Sequence, residues 1–167
     1  MRYNALLFWN LMEEMNFMEY EMFERIVGEY KSRNPILFGL EHDDVCSAEQ
    51  IEDFEKMLRL KFPRKYKQFL KDFGGGFFGY VNVYSLDKKS NFCLLAHNDI
   101  PIGGYLRIAD NGCGDYYLLK IDNKNCLDQL YFYEHDTKAI CDTQYADIFE
   151  YLVKVGLKAK DTGEMFV

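Results

Sequence analysis

Apolar positions along the chain change rhythm twice, from a helical period to a strand period and back. Over residues 18–31, Tyr20, Phe23, Ile26 and Val27 recur at helical spacing, while Glu19, Glu21, Glu24 and Arg25 fill other faces, which predicts a helix. Asn34-Pro35 stops it, because the residue before a proline avoids helical geometry. Ser47-Ala48-Glu49-Gln50 has the form of a capping box: the serine hydroxyl can accept from the Gln50 N–H while the glutamine side chain reaches back. Ile51, Phe54, Met57 and Leu58 then make the stripe of a second helix. Phe62-Pro63 breaks that helix and opens a third, with Pro63 suited to the first helical position. Tyr66, Phe69, Leu70 and Phe73 form its apolar face, and Gly74-Gly75-Gly76 ends it.

After the glycines the period shortens. Phe78–Tyr84 alternates and is rich in strand formers, which predicts one strand. Tyr105–Ala109 and Tyr116–Ile121 read as a hairpin across the turn-rich loop Asp110–Asp115. Gln129–Glu134 and Lys138–Cys141 read as another strand pair across His135-Asp136-Thr137. Tyr145–Val155 returns to helical spacing, with Ile148, Phe149, Leu152 and Val155 on one stripe. Helices first, strands next and a closing helix predict an α+β fold, with N-terminal helices packed on a mainly antiparallel twisted β-sheet. The expected organisation is one domain over 18–157, an N-terminal extension over 1–17 that a start at Met18 would leave out, and a C-terminal tail over 158–167.

Composition narrows the class. A chain of 167 residues, 49% hydrophobic and 17% aromatic, has the material for one packed core and is not disordered. A mean hydropathy of −0.31 and no apolar run near ~18 residues speak against a membrane span. A net charge of −7 argues against sequence-independent nucleic-acid binding, which needs a basic footprint. The five cysteines (Cys46, Cys93, Cys113, Cys126 and Cys141) are odd in number and lack C-x-x-C spacing, so reduced thiols in a cytoplasmic protein are expected. Met1-Arg2 and Ala5–Trp9 are followed by Asn10, Glu13 and Glu14 rather than a small-residue cleavage site, so no signal peptide is expected.

No catalytic constellation stands out. His42-Asp43-Asp44, His97-Asn98-Asp99 and Glu134-His135-Asp136 invite metal or acid–base readings, but none has helical ligand spacing, and all fall where loops and strand ends use Asp and Asn to cap the backbone. Asp110–Asp115 lacks the lysine and following helix of a phosphate cradle and the alternating oxygens of a calcium loop. No base is adjacent to Cys113 in sequence. Neither a metal nor a cofactor is therefore expected, and the chain reads as a non-enzyme. Charge is unevenly placed. Lys56, Arg59, Lys61, Arg64, Lys65, Lys67 and Lys71 fall in a stretch without Asp or Glu, leaving 13 basic against 27 acidic residues elsewhere. The run reads either as the solvated face of two helices or as a phosphate-binding patch.

The order of these signals resembles the SUKH superfamily, the Smi/Knr-like domains of bacterial immunity proteins and fungal cell-wall regulators. Phe62-Pro63-Arg64-Lys65-Tyr66-Lys67-Gln68-Phe69-Leu70, followed by Phe73-Gly74-Gly75-Gly76, is similar to that family's Leu-Pro helix start, Tyr-x-x-Phe-Leu core and Asn-Gly-Gly stop. Ile108–Leu118 is similar to its Gly-Asp hairpin, Leu130–Asp136 to its Val-Tyr-Phe-x-x-His-Asp strand end, and Tyr145–Leu152 to its closing helix. Phe62 stands for the usual Leu, Gly74 for the Asn, and a Gly common before the Val-Tyr-Phe strand is absent near Leu127-Asp128. These departures leave the subfamily and the partner open.

The resemblance implies binding rather than catalysis: a cytoplasmic immunity protein that neutralises a cognate bacterial toxin, often a nuclease. Regulatory protein–protein interaction unrelated to toxins is the second reading, and a small hydrolase or nucleotide-binding enzyme the third. For an immunity role the acidic remainder would steer association with a basic cleft. The loops expected to present carboxylates lie at Asp99, at Asp110 and Asp115, and at Glu134 and Asp136. Tyr117, Tyr131 and Tyr133 are the expected aromatic anchors beside them. Alternation along the strands would send one each of Tyr116/Tyr117 and Tyr131/Tyr133 outward, unless both faces are covered and all four are core. Oligomeric state is open.

Overall fold

The computed structural model describes residues 20–99 and 101–158. The expectations for an extension over 1–17 and for residues 159–167 of the tail lie outside the described residues. The elements in order are α1 (residues 20–33), β1 (His42–Asp43), α2 (Ala48–Leu58), α3 (Arg64–Phe73), β2 (Gly75–Phe78), β3 (Val81–Val83), α4 (Leu94–His97), β4 (Tyr105–Asp110), β5 (Tyr116–Asp122), β6 (Asn125–Tyr133), β7 (Ile140–Asp142) and α5 (Ile148–Tyr151). The last helix continues in π form over Leu152–Gly156. The strands make one seven-stranded antiparallel sheet in simple sequence order, and the fold is α+β with a C-terminal helix.

Local chemistry explains most element ends. Both capping-box bonds form, Gln50 N–H to Ser47 Oγ at 3.1 Å and Ser47 N–H to Gln50 Oε1 at 2.8 Å. Pro63 is the N-cap of α3 rather than its first residue, and Gly74 caps its C-terminus with φ of 76°. Asp147 caps α5 by accepting the Glu150 N–H at 3.0 Å.

Phe78–Tyr84 is not the single strand that its alternation predicts. Gly79 and Tyr80 turn the chain between β2 and β3, and Gly79 takes φ of 59° against the end of the π-helix. A Cβ there would lie 2.1 Å from the Gly156 carbonyl oxygen, so only glycine fits. Three further elements carry no clear period: β1, α4, and the first half of β6, which folds back through a two-residue turn at Asn123-Lys124 with both φ positive.

One face of the sheet is covered by α1, α2, α3 and α5. Phe23, Ile26, Ile51, Phe54, Tyr66, Phe69, Leu70, Ile148 and Phe149 pack with Phe78, Val81, Val83, Leu106, Leu119 and Leu130 in one core. Phe23 stacks on Phe149 with centroids 4.4 Å apart. Each such side chain removed from water stabilises the fold by about 1.5–3 kcal/mol. The basic run mostly stays within the fold. Lys61 and Lys67 reach the buried Glu55 at 3.1 and 2.7 Å, Lys65 reaches Asp147 at 2.6 Å, and Lys56 lies 3.5 Å from Asp53. The Lys61 backbone also joins the β5–β6 turn, with its N–H 2.8 Å from the Lys124 oxygen and its oxygen 2.8 Å from the Cys126 N–H. These pairings favour the helical-face reading of the run over a phosphate patch.

Candidate functional site

Register assigns the tyrosines to faces. Leu106, Leu119 and Leu130 are cross-strand partners on the helix side, as are Ala109, Tyr117 and Phe132. The alternate positions share the other, outer face: Asp110, Tyr116, Tyr133 and Ile140 in one row, and Arg107, Leu118, Tyr131 and Asp142 in the next. A bulge in β4 between Arg107 and Ala109 lets both Arg107 and Asp110 point outward.

The chain over Ser85–Asp99 covers the outer face over β2–β4. Phe92 packs on Phe77 at 5.3 Å, and His97 stacks on Tyr84 at 3.9 Å. Asn98 locks this excursion to β4: its amide accepts from the Arg107 N–H at 2.9 Å and donates to the Arg107 and Leu94 carbonyls. Arg107 donates to the His97 carbonyl at 2.6 Å, and its guanidinium lies 4.7 Å from the Tyr116 ring centroid. Among the described residues, nothing comparable covers the outer face of β5–β7. It carries Tyr116 and Tyr133, 5.9 Å apart, and Tyr131, which meets Tyr105 edge-on at 5.3 Å. Leu118 is fully buried among this row although no helix of the described residues lies over it.

The loop carboxylates gather at one end of this face. Asp115 accepts from the His135 backbone at 3.0 Å and lies 2.9 Å from His135 Nδ1, while His135 Nε2 lies 3.0 Å from Asp136. This clasp joins the β4–β5 and β6–β7 loop tips. The bonds from the His135 backbone and ring, and from Asn111, hold the Asp115 carboxyl down at about 2. The Asp115 hydrogen bond, helped by the charges of Asp136 and Asp115, raises His135 above its ordinary value, against desolvation and Lys138. Asp110 accepts from Asn82 and from the Gly112 N–H, both at 2.8 Å, and Glu134 accepts from Thr137 at 2.5 Å.

Asp110, Asp115, Glu134 and Asp136 are therefore brought together, with Tyr131 and Tyr133 on the adjoining face. Tyr131 and Tyr133 both point outward, because a spacing of two residues keeps one face; the expectation of one outward residue from that pair fails for this reason. Asp99 is exposed beyond α4, beside the middle of β4 and away from the loop tips. Tyr117 turns to the helix side, where its ring lies 4.3 Å from that of Tyr151, and burial together with the Tyr145 and Asp115 charges pushes its phenol up to about 12. Tyr116 is the outward member of that pair. Tyr105, Arg107 and Asp142 belong to the face without any sequence signal that singled them out, since the covering excursion and the bulge decide their exposure.

A family model described as SMI1-KNR4 cell-wall, of the SUKH set, matches residues 48–152. The chain belongs to the SUKH family. No curated protein matches it. The SUKH match runs from the first residue of α2 to the start of the π-helix, so it holds strands β2–β7 and the whole tyrosine face, while α1 and β1 lie outside it. The motif residues that carried the resemblance are mainly structural in this SUKH domain: Phe62, Tyr66, Phe69, Leu70, Phe149 and Leu152 are all core. Among the described residues no helix is long and apolar enough to cross a membrane, and no group of three or more His, Cys, Asp or Glu is placed to hold a metal. All five cysteines are free, with Cys113 and Cys141 exposed and the others buried.

Proposed function

We propose that this SUKH domain is a non-catalytic, cytoplasmic immunity protein that binds and neutralises a cognate bacterial toxin, of the nuclease class. The observation that carries the reading is the juxtaposition of a tyrosine face that none of the described residues covers with four loop carboxylates at its edge. Tyrosines anchor interfaces at low entropic cost, and an acidic rim speeds encounter with the basic cleft that a nuclease keeps for its substrate. The histidines that invited an enzyme reading have structural partners: His97 on Tyr84, His135 on Asp115, and His42 at 3.3 Å from the Asp43 carbonyl.

Co-expression with the toxin encoded beside this gene tests the reading. Rescue of growth together with a stable complex is the expected result; a toxin that still kills and gives no complex overturns it. The family description, which names cell-wall members, favours a regulatory interaction module as the second reading. A stable complex with a host protein and no neighbouring toxin would select it.

A further inference from the structure

The outer face holds two aspartate–tyrosine pairs across neighbouring strands. Asp110 stands opposite Tyr116, and Asp142 stands opposite Tyr131. Cross-strand partners bring their Cβ atoms to within ~5 Å, so in each pair a ring and a carboxylate stand side by side. At the first pair the Arg107 guanidinium sits over the Tyr116 ring, held there by the His97 carbonyl, while Asp110 accepts from Asn82 and the Gly112 N–H. The second pair has the same composition and no internal cation. Among the described residues Asp142 makes no ion pair and is exposed. Lys120 stands opposite Tyr105 at the far side of Tyr131.

We infer that the Tyr131–Asp142 pair receives an arginine side chain from a protein partner, the guanidinium lying over the Tyr131 ring and pairing with the Asp142 carboxylate. This deepens the reading of the face as a protein-binding surface and rests on it. Three observations select arginine on a protein. The surrounding charge is acidic, with Asp110, Asp115, Glu134 and Asp136 at the adjoining loop end, which opposes any anionic ligand. A planar guanidinium stacks on an aromatic ring and forks to a carboxylate at once, which an ammonium does not. The molecule itself stacks a guanidinium on a tyrosine of this same face, Arg107 on Tyr116. Ile140, opposite Tyr133 and exposed, supplies apolar surface beside the pair for the partner's neighbouring residues.

A short acetylated arginine peptide and its lysine counterpart, titrated at low salt into the full chain and followed by amide NMR, test the inference. The arginine peptide is expected to perturb Tyr131, Tyr133 and Asp142 first and to bind more tightly than the lysine peptide. Asp142→Asn and Tyr131→Ala should each weaken it by about threefold, and Tyr131→Phe should retain binding, because the ring face is kept. Equal binding of both peptides, or binding unchanged by Asp142→Asn, overturns the inference. The two readings fail separately. Undiminished toxin binding by Asp142→Asn removes this contact and leaves the immunity role standing. Arginine-specific binding at the pair without a neutralised toxin removes the role and leaves the contact.

Discussion

The carboxylate of Glu55 lies 2.7 Å from Lys67 Nζ while being itself almost wholly buried, and it accepts the Phe62 N–H at the same distance. One acidic side chain near the end of α2 thus organises the start of α3 and draws two lysines of the basic run onto the fold. Burial alone would raise its carboxyl; the bonds from Lys67, Phe62 and Lys61 outweigh that and hold it below its ordinary value. Glu55→Ala strands the buried Phe62 N–H and should cost about 2–4 kcal/mol. Glu55→Gln keeps an acceptor and should cost less than half as much. Urea midpoints for the two variants check the ordering, and equal costs would refute it.

The His135–Asp115 clasp has a signed pH dependence. His135 is raised, so its contribution is full below the ordinary histidine value of 6.5 and is lost as pH climbs through the folded value. Asp115 is lowered to about 2 from 3.8, so its contribution is full above 3.8 and is lost as pH falls toward 2. The two coincide between about pH 4 and 6.5. Protection from hydrogen exchange at the 111–115 and 134–138 loops, taken relative to the intrinsic amide rate at each pH, should be greatest inside that window. His135→Gln should abolish the alkaline limb, because its side chain does not titrate.

Gly79 is the only residue type that its turn accepts. Gly79→Ala should destabilise by at least about 2 kcal/mol, since it meets both a left-handed φ and the Gly156 carbonyl. Thermal unfolding measures the loss, and a shift comparable to that of an exposed Gly28→Ala control would contradict it.

The two faces of the sheet should respond differently to truncation. Tyr117→Ala removes a ring packed on Tyr151 and should cost about 2–3 kcal/mol of stability. Tyr133→Ala should cost under about 1 kcal/mol in stability. As an interface anchor it should weaken partner binding by about thirtyfold. Calorimetry of folding and of complex formation separates the two effects.

What could be read without coordinates, and what could not, divides by the range of the interaction. Helix starts and stops depend on neighbours a few residues away: Ser47, Gln50 and Gly74 acted as their chemistry requires, and Pro63 fell one position short of the first helical residue. The helix-side core followed from apolar spacing for the same reason. A glycine inside an alternating run does not by itself show a break, and the necessity of the turn at Gly79 lies in Gly156, a residue 77 positions later.

The candidate face was only half legible. The clustering of carboxylates in turns is local composition, and their meeting through His135 is not. Leu118 and Leu119 are adjacent and both fully buried. Apolar residues in succession give alternation no way to say which side of β5 meets the helices, so Tyr116 and Tyr117 could not be told apart. The chain alone determined an α+β SUKH domain with an acidic balance and aromatic strands, because composition and period are properties of sequence. Which tyrosines turn outward was decided by tertiary structure alone, because exposure on a sheet depends on what packs over each face. Here the Ser85–Asp99 excursion covers the outer side of β2–β4, and none of the described residues carries that cover on over β5.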